Sequence, residues 1–447
     1  MKSIYASLLL LFVFLNGTNA KAQTTAFEKC AAVQVANKMN QSNPGYSSQF
    51  EQWINEFKES TVSRSASYDS TLFVRVVVHV VYNTPQQNLD DSVIINQLNI
   101  LNRDFGRTNA DTVNMRNDFN GVKSSNSKIV FYLAQTDPSG NPTTGITRTS
   151  TSTNSFFDLL AGGLAEGVKS SADGGIDPWD TDNYLNIWVC NMAIPILGPS
   201  ILGYATPPDG LPNWDPGSTT GMIDGVVIQF QAFGDNNPNP LTSLGTTFTV
   251  KGRTPVHEVG HYLGLRHIWG DETNCTGTDG MDDTPGATDA SAQDCDPSKN
   301  TCTDNILGVD LPDMIENYMD YSSEDCQNSF TKMQVDFMRW VLVTKRPDVY
   351  WASLNGLNSQ EQENFSISIV PNPASDFISI QTALSNHQQG ELLIRDVCGK
   401  LLVQQKINSM NENDLIDVSG LNTGIYFVSF SADGGNVEVG KFIKSRE

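Results

Sequence analysis

Lysine and arginine are scarce in this chain, 28 against 50 aspartates and glutamates over 447 residues, for a net charge of −22. Nucleic-acid binding needs clustered basic side chains, so that class is excluded. Acidity by itself names no partner. Long apolar runs are also missing. The run Leu8 to Leu15 is too short to cross a bilayer, and no later stretch is long enough to do so. With Lys2 before it and small residues ending Ala20-Lys21-Ala22 after it, the run reads as an export signal cut after Ala22. Gln23 rather than a cysteine would then come first, which argues against a lipid anchor.

Seven cysteines suit an oxidising destination. Cys275, Cys295, Cys302 and Cys326 lie in a segment dense in Asp, Thr, Gly and Asn with little apolar material for a core. Two disulfides would hold such a segment, and spacing alone allows three pairings. Cys190 ends the apolar run Tyr184–Cys190 and reads as a buried thiol.

Histidine is rarer still, yet three of the five fall in His257-Glu258-Val259-Gly260-His261-Tyr262-Leu263-Gly264-Leu265-Arg266-His267. Residues four apart share a helix face, so His257 and His261 can grip one ion, with Glu258 beside them as a base. On a continuing helix His267 would stand about 240° round the axis and roughly 9 Å further on. Gly264 removes that obstacle, because glycine takes the left-handed conformation that ends a helix. At the start, Thr254 is the expected N-cap and Pro255 the first helical residue. A bare pair of histidines around a glutamate is weak evidence; the added glycine and third histidine make it specific.

Along the chain, residues 23–63 are polar and weakly helical, without a convincing core pattern, and read as a pro-segment. Leu72 to Tyr82 reads as a central strand, with His79 a core histidine inside it. A helix bearing Val93, Ile94, Leu98, Leu101 and Phe105 follows, Gln97 being the polar exception, with Asp90 to Ser92 as capping candidates. Further strands are expected at 128–135, 185–190 and 225–230, giving a layered α/β domain over 64–352. Thr331 to Lys345 reads as a late helix opened by a Thr331/Gln334 capping box. A polar linker (353–364) leads to residues 365–447, whose short alternating strands predict a small β-sandwich containing Cys398.

The long histidine motif together with Asn317-Tyr318-Met319-Asp320-Tyr321 resembles the metzincin clan. The stretch His257 to Asp271, Asp282-Asp283-Thr284-Pro285 and the methionine turn resemble the pappalysin family, in particular its secreted bacterial, ulilysin- and mirolysin-like members, over residues 64–350. Separately, Pro371-Asn372-Pro373-Ala374, Asp396 to Lys400, Gly424-Ile425-Tyr426 and Lys441-Phe442-Ile443-Lys444 resemble the sorting domain of the type IX secretion system.

The first resemblance implies an α/β (α+β) fold with a twisted mixed sheet, a backing helix and an active-site helix. It implies one catalytic Zn²⁺ on His257, His261 and His267, Glu258 as general base, Tyr321 stabilising the reaction intermediate and Met319 flooring the metal. It pairs Cys275 with Cys302 and Cys295 with Cys326. It suggests structural Ca²⁺ on oxygens of Thr278, Asp279, Met281 and Thr284, a loop that otherwise reads as solvated surface. Cleavage on the N-terminal side of arginine or lysine would follow from Asp325 in a pocket, the alternative being a solvated loop carboxylate beside Glu324.

Cys30 either occupies the open zinc position of a latent precursor or is a free cysteine lost with the pro-segment. Ser63-Arg64 lies in a polar stretch suited to self-cleavage. The expected product is a secreted, extracellular zinc endopeptidase, with surface attachment left open. It would be a monomer with protein or peptide substrates, exported through the general secretory and type IX machineries. The rivals are a zinc-stabilised, non-catalytic binding protein or adhesin, and a metal hydrolase acting on esters or sugars.

Overall fold

The computed structural model describes residues 28–42, 44–60, 70–194, 197–199, 201–208 and 222–353, and in the C-terminal part 367–372, 374–382, 390–396, 401–407, 415–422, 424–432 and 437–444. The expected export signal, Ser63, Arg64, Pro373, Cys398 and most of the linker lie outside these residues.

The predicted central strand is β2 (Thr71–Tyr82), following β1 (Glu28–Cys30). Valines fill it and most of its residues are buried, so both faces of the sheet must be covered. One edge of β2 pairs in parallel with β3 (Ile129–Leu133) and then β4 (Ile146–Ser150). The other pairs in parallel with β5 (Leu185–Cys190) and antiparallel with β8 (Tyr350–Ser353). Beyond β5 the order continues through β7 (Val226–Gln229), the antiparallel β6 (Ile201–Ala205) and β1. This is the mixed α/β sheet that was expected.

The helix α3 (Asp91–Phe105) backs the sheet, with Asp90 as N-cap accepting from the Ser92 amide. Gln97, the polar exception on its apolar face, is explained by two hydrogen bonds. Its Nε2 donates to the Gly252 carbonyl at 2.9 Å and its Oε1 accepts from the Gly234 amide at 2.7 Å. The first ties α3 to the turn that opens the metal helix, the second to the loop that follows β7.

That helix, α4 (Arg253–Tyr262), is buried along its whole length. Its start corrects the expected cap. The N-cap is Gly252 in the left-handed conformation, and neither Thr254 nor Gly252 caps with a side chain. The carboxylate of Glu324, over seventy positions away, accepts instead from the amides of Arg253 (3.1 Å) and Thr254 (2.8 Å) and from that of Lys251. A negative charge there both satisfies the orphan donors and faces the positive end of the helix dipole.

Two further elements differ from expectation or extend it. Residues 28–59 were read as lacking a core pattern. They form α1 (Ala32–Ser42) and α2 (Tyr46–Glu59), and Val35, Met39, Trp53, Ile54 and Phe57 are buried in the main core. Phe57 meets Phe337 edge-on at 5.3 Å on α5 (Lys332–Lys345), whose Thr331/Gln334 capping box is present. The loops between α4 and α5 carry both disulfides, Cys275–Cys302 and Cys295–Cys326.

The C-terminal strands form two antiparallel sheets, one of three strands from β9 (Ile367–Val370), β10 (Phe377–Thr382) and β13 (Ile416–Asp417). The other has four: β11 (Gly390–Asp396), β12 (Leu401–Ile407), β14 (Gly424–Ala432) and β15 (Val437–Lys444). Ile369, Ile378, Ile380, Leu392, Ile394, Val428, Phe430 and Phe442 share one core between them, as a sandwich requires.

Candidate active site

His257 and His261 sit one turn apart on α4 and present their Nε2 atoms 3.1 Å from each other. Gly264 takes φ +90°, and the Leu265 amide closes back onto the Gly260 carbonyl at 2.9 Å, so the helix stops and the chain turns. This bend returns His267, whose Nε2 lies 3.1 Å from that of His261. Nitrogens held about 2.0 Å from one ion at tetrahedral angles stand about 3.3 Å apart, so the triad matches zinc closely.

Each imidazole is aimed through its other nitrogen. His257 Nδ1 meets the Tyr318 carbonyl (2.7 Å), His261 Nδ1 the Leu265 carbonyl (2.8 Å) and His267 Nδ1 the Asp271 carboxylate. These acceptors hold the proton on Nδ1 and turn the Nε2 lone pair inward. Burial, reinforced by the neighbouring imidazoles, holds His257 well below the ordinary histidine range and His261 at about 3, so both rings are neutral, as a metal would require of them. Asp271 had been assigned no role, though its place four residues after His267 was the available signal.

Glu258 is buried beneath β6, where a side chain at Gly203 would come within 2.8 Å of its Cγ. Burial pushes its carboxyl to about 8, against the opposing pull of Cys30 and Lys29. Its Oε1 is buried with no hydrogen-bond partner among the described residues. Met319 lies under the site, its Sδ 2.5 Å from where a Cβ at Gly260 would stand, so the helix must carry glycine there. The Tyr321 ring packs 4.9 Å from that of His267 and 5.7 Å from that of His257.

Cys30 arrives from outside the helix. Strand β1 runs parallel to β6 with Cys30 opposite Gly203. Its Sγ is 3.3 Å from Glu258 Oε2, and the Tyr321 hydroxyl donates to its carbonyl oxygen at 2.9 Å. One donor atom from each of Cys30, His257, His261 and His267 lies within 4.8 Å of the others. Burial, then Glu258, pushes the Cys30 thiol well up. Buried donors with converging lone pairs form a set that a divalent cation completes, and a cation bound there would draw off the Cys30 proton.

The remaining candidates are more scattered. Asp279 is buried, with Thr284 beside it, and accepts from the Met281 amide and Gln334 Nε2; burial pushes it to about 7. Asp325 is half exposed and paired with Lys251 Nζ at 3.1 Å. Cys190 is a buried free thiol, as expected.

Three histidines on a bent helix, a glutamate beside them, a methionine floor and a mixed sheet above define a zinc metallopeptidase of the metzincin type. The comparisons agree. Residues 234–343 match the peptidase M43 family described as pregnancy-associated plasma protein-A, and residues 368–445 match the secretion system C-terminal sorting domain. Mature mirolysin of Tannerella forsythia, solved with a cleaved peptide, is 42% identical, with a TM-score of 0.52 over 63% of this chain and 96% of that one. Promirolysin of the same organism is 38% identical, with a TM-score of 0.58 over 72% of this chain and 97% of that one. An extracellular metalloprotease of Arthroderma benhamiae is 25% identical over 70% of this chain and 85% of its own length.

The chain belongs to the pappalysin-type M43 family of metallopeptidases. It is a secreted metalloendopeptidase with a zymogen form and a type IX sorting tail, which leaves neither rival reading in place. No helix among the described residues is long and apolar enough to cross a membrane.

Proposed function

We propose that the chain is a latent precursor, with signal 1–22, pro-segment 23–63, catalytic domain 64–352, linker 353–364 and sorting domain 365–447. On release at Ser63–Arg64 it would act as a monomer that cuts peptide bonds on the N-terminal side of arginine or lysine. The observation that carries latency is Cys30 Sγ, seated against Glu258 in the middle of the histidine triad. A thiolate there fills the place that substrate and water must share.

His257, His261 and His267 would hold zinc, which when bound supplies Lewis acidity to a water and to the scissile carbonyl. Glu258 takes the proton of the attacking water on its free Oε1 and hands it to the leaving amine. The Tyr321 hydroxyl donates to the carbonyl oxygen as negative charge builds there. Its bond to the Cys30 carbonyl supports that reach, since it already holds a main-chain carbonyl beside the triad. Asp325, half exposed beside Lys251, would favour a basic side chain after the scissile bond.

Calcium is proposed at Asp279 and Thr284, with the carbonyls of Thr278 and Met281. A buried carboxylate pushed to about 7 gains its charge back when a cation is bound.

The test is the Cys30→Ala precursor. Loss of the thiol is expected to speed self-processing by on the order of tenfold or more, with new N-termini at or beside Arg64. Processing at the unchanged rate, or starting far from Arg64, would contradict latency through Cys30 or cleavage at that arginine, respectively.

A further inference from the structure

Lys29, one residue before Cys30, is only 2% exposed. Lysine is almost never buried so completely without partners. Its Nζ donates to the main-chain carbonyl of Asp320, in the methionine turn, at 3.4 Å. Burial works against its charge and lowers its pKa, while the carboxyl groups of Glu324, Asp320 and Glu258 work in its favour. The same carbonyl accepts Gln327 Nε2 at 2.7 Å, while Gln327 Oε1 is buried with no hydrogen-bond partner among the described residues. A buried acidic slot with a spare acceptor thus opens one residue away from the metal centre.

The strand around Lys29 is held as a peptide ligand would be. Glu28 pairs with Ile201 and Cys30 with Gly203, and the Ala31 amide donates to the Gly203 carbonyl at 3.0 Å. Cys30 faces the triad, and the side chain next to it enters the slot. By contrast, Asp325 is paired with Lys251 at half-exposed surface, and no hydrogen bond or ion pair joins it to Lys29 among the described residues.

We infer that Lys29 stands in for a substrate's basic side chain, and that Asp320 and Gln327 form the inner end of the pocket that reads it. This rests on the proposed preference for basic residues and adds what the resemblance alone did not supply. The pocket recognises an ammonium through the Asp320 main-chain carbonyl, which Gln327 Nε2 holds in place, and through buried carboxylates, with Asp325 at its outer side. The precursor is then plugged twice, at the metal by Cys30 and in the pocket by Lys29.

Two measurements test it on the full chain. In the Glu258→Ala precursor, which cannot cut itself, amide exchange at Ala31 is compared among Lys29, Lys29→Arg, Lys29→Met and Lys29→Glu. Arginine is expected to keep the protection, and methionine and glutamate to speed exchange by about tenfold or more as the buried acceptors lose their donor. Exchange at the original rate in the methionine and glutamate variants overturns the seating of Lys29.

In the processed enzyme, Gln327→Leu is expected to lower the ratio of kcat/KM for a peptide with lysine after the scissile bond to that for its leucine counterpart, by about tenfold. An unchanged ratio overturns the role of Gln327. If processed wild type cuts neither peptide, the peptidase reading fails, while the exchange result still judges where Lys29 sits.

Discussion

At the scale of single residues, His79 shows how burial sets a pH dependence. It lies fully buried in β2, with Thr147 Oγ1 at 2.7 Å and Asn186 Oδ1 at 2.9 Å from its ring nitrogens and Trp188 against its face. Burial lowers its pKa from 6.5 to about 4. The unfolded chain therefore takes up this proton first as pH falls. Stability from the neutral ring is complete above about 6.5 and is lost progressively down to about 4, on the order of 3 kcal/mol in all. Urea unfolding of the precursor at stepped pH should show that slope, and His79→Gln should flatten it; an equal slope in the variant would contradict the assignment. Glu258→Ala should keep stoichiometric zinc and lose about 10²–10⁴-fold in turnover, since it removes the base and no ligand. Loss of the metal along with activity would make Glu258 structural instead. His79 was legible as a core residue because it interrupts a run of valines, but its two polar partners come from strands that only the fold brings alongside.

At the scale of elements, the bend after α4 decides whether the site exists. At φ +90° a side chain on residue 264 is strained, and its Cβ would press on Val341 at 3.0 Å and Phe337 at 3.1 Å. Gly264→Ala should cost about 1–2 kcal/mol of stability and weaken zinc binding, because His267 reaches the triad only through that turn. Chelator competition measures it, and unchanged affinity would show that the bend does not depend on glycine. This end of the helix was readable from the local order of residues. The other end was not, because its cap is a carboxylate more than seventy positions away, and no local pattern announces Glu324. The N-terminal helices are a different case. Val35 and Met39 stand four apart, as do Trp53 and Phe57, so helical spacing was present but diluted by polar neighbours.

At the scale of the whole molecule, the N-terminal segment is part of the core and not only a plug. Trp53, Ile54 and Phe57 of α2 bury themselves against α5 and the Asp279 loop, where Ile54 Cδ1 would lie 2.5 Å from a Cβ on Gly280. Phe57→Ala should destabilise the precursor by about 3–5 kcal/mol and speed its processing. A melting temperature no lower than that of the parent would show that α2 does not contribute to the fold. If calcium occupies the Asp279 loop, adding it at a hundredfold excess over Kd should stabilise the folded chain by about 2.7 kcal/mol, and a chelator should reverse this; no shift would leave that loop without its ion. The architecture was legible from valine-rich strands and the capped helices. The docking of residues 28–59 was hidden, because it depends on surfaces of α5 and β6 that come together only on folding. The most direct measurement of the central claim is zinc X-ray absorption on precursor and processed protein. Three nitrogens at about 2.0 Å with one sulfur at about 2.3 Å are expected in the precursor, and the same nitrogens without sulfur after processing. A precursor whose zinc has no sulfur neighbour, or a folded, processed protein that binds no zinc, would contradict it.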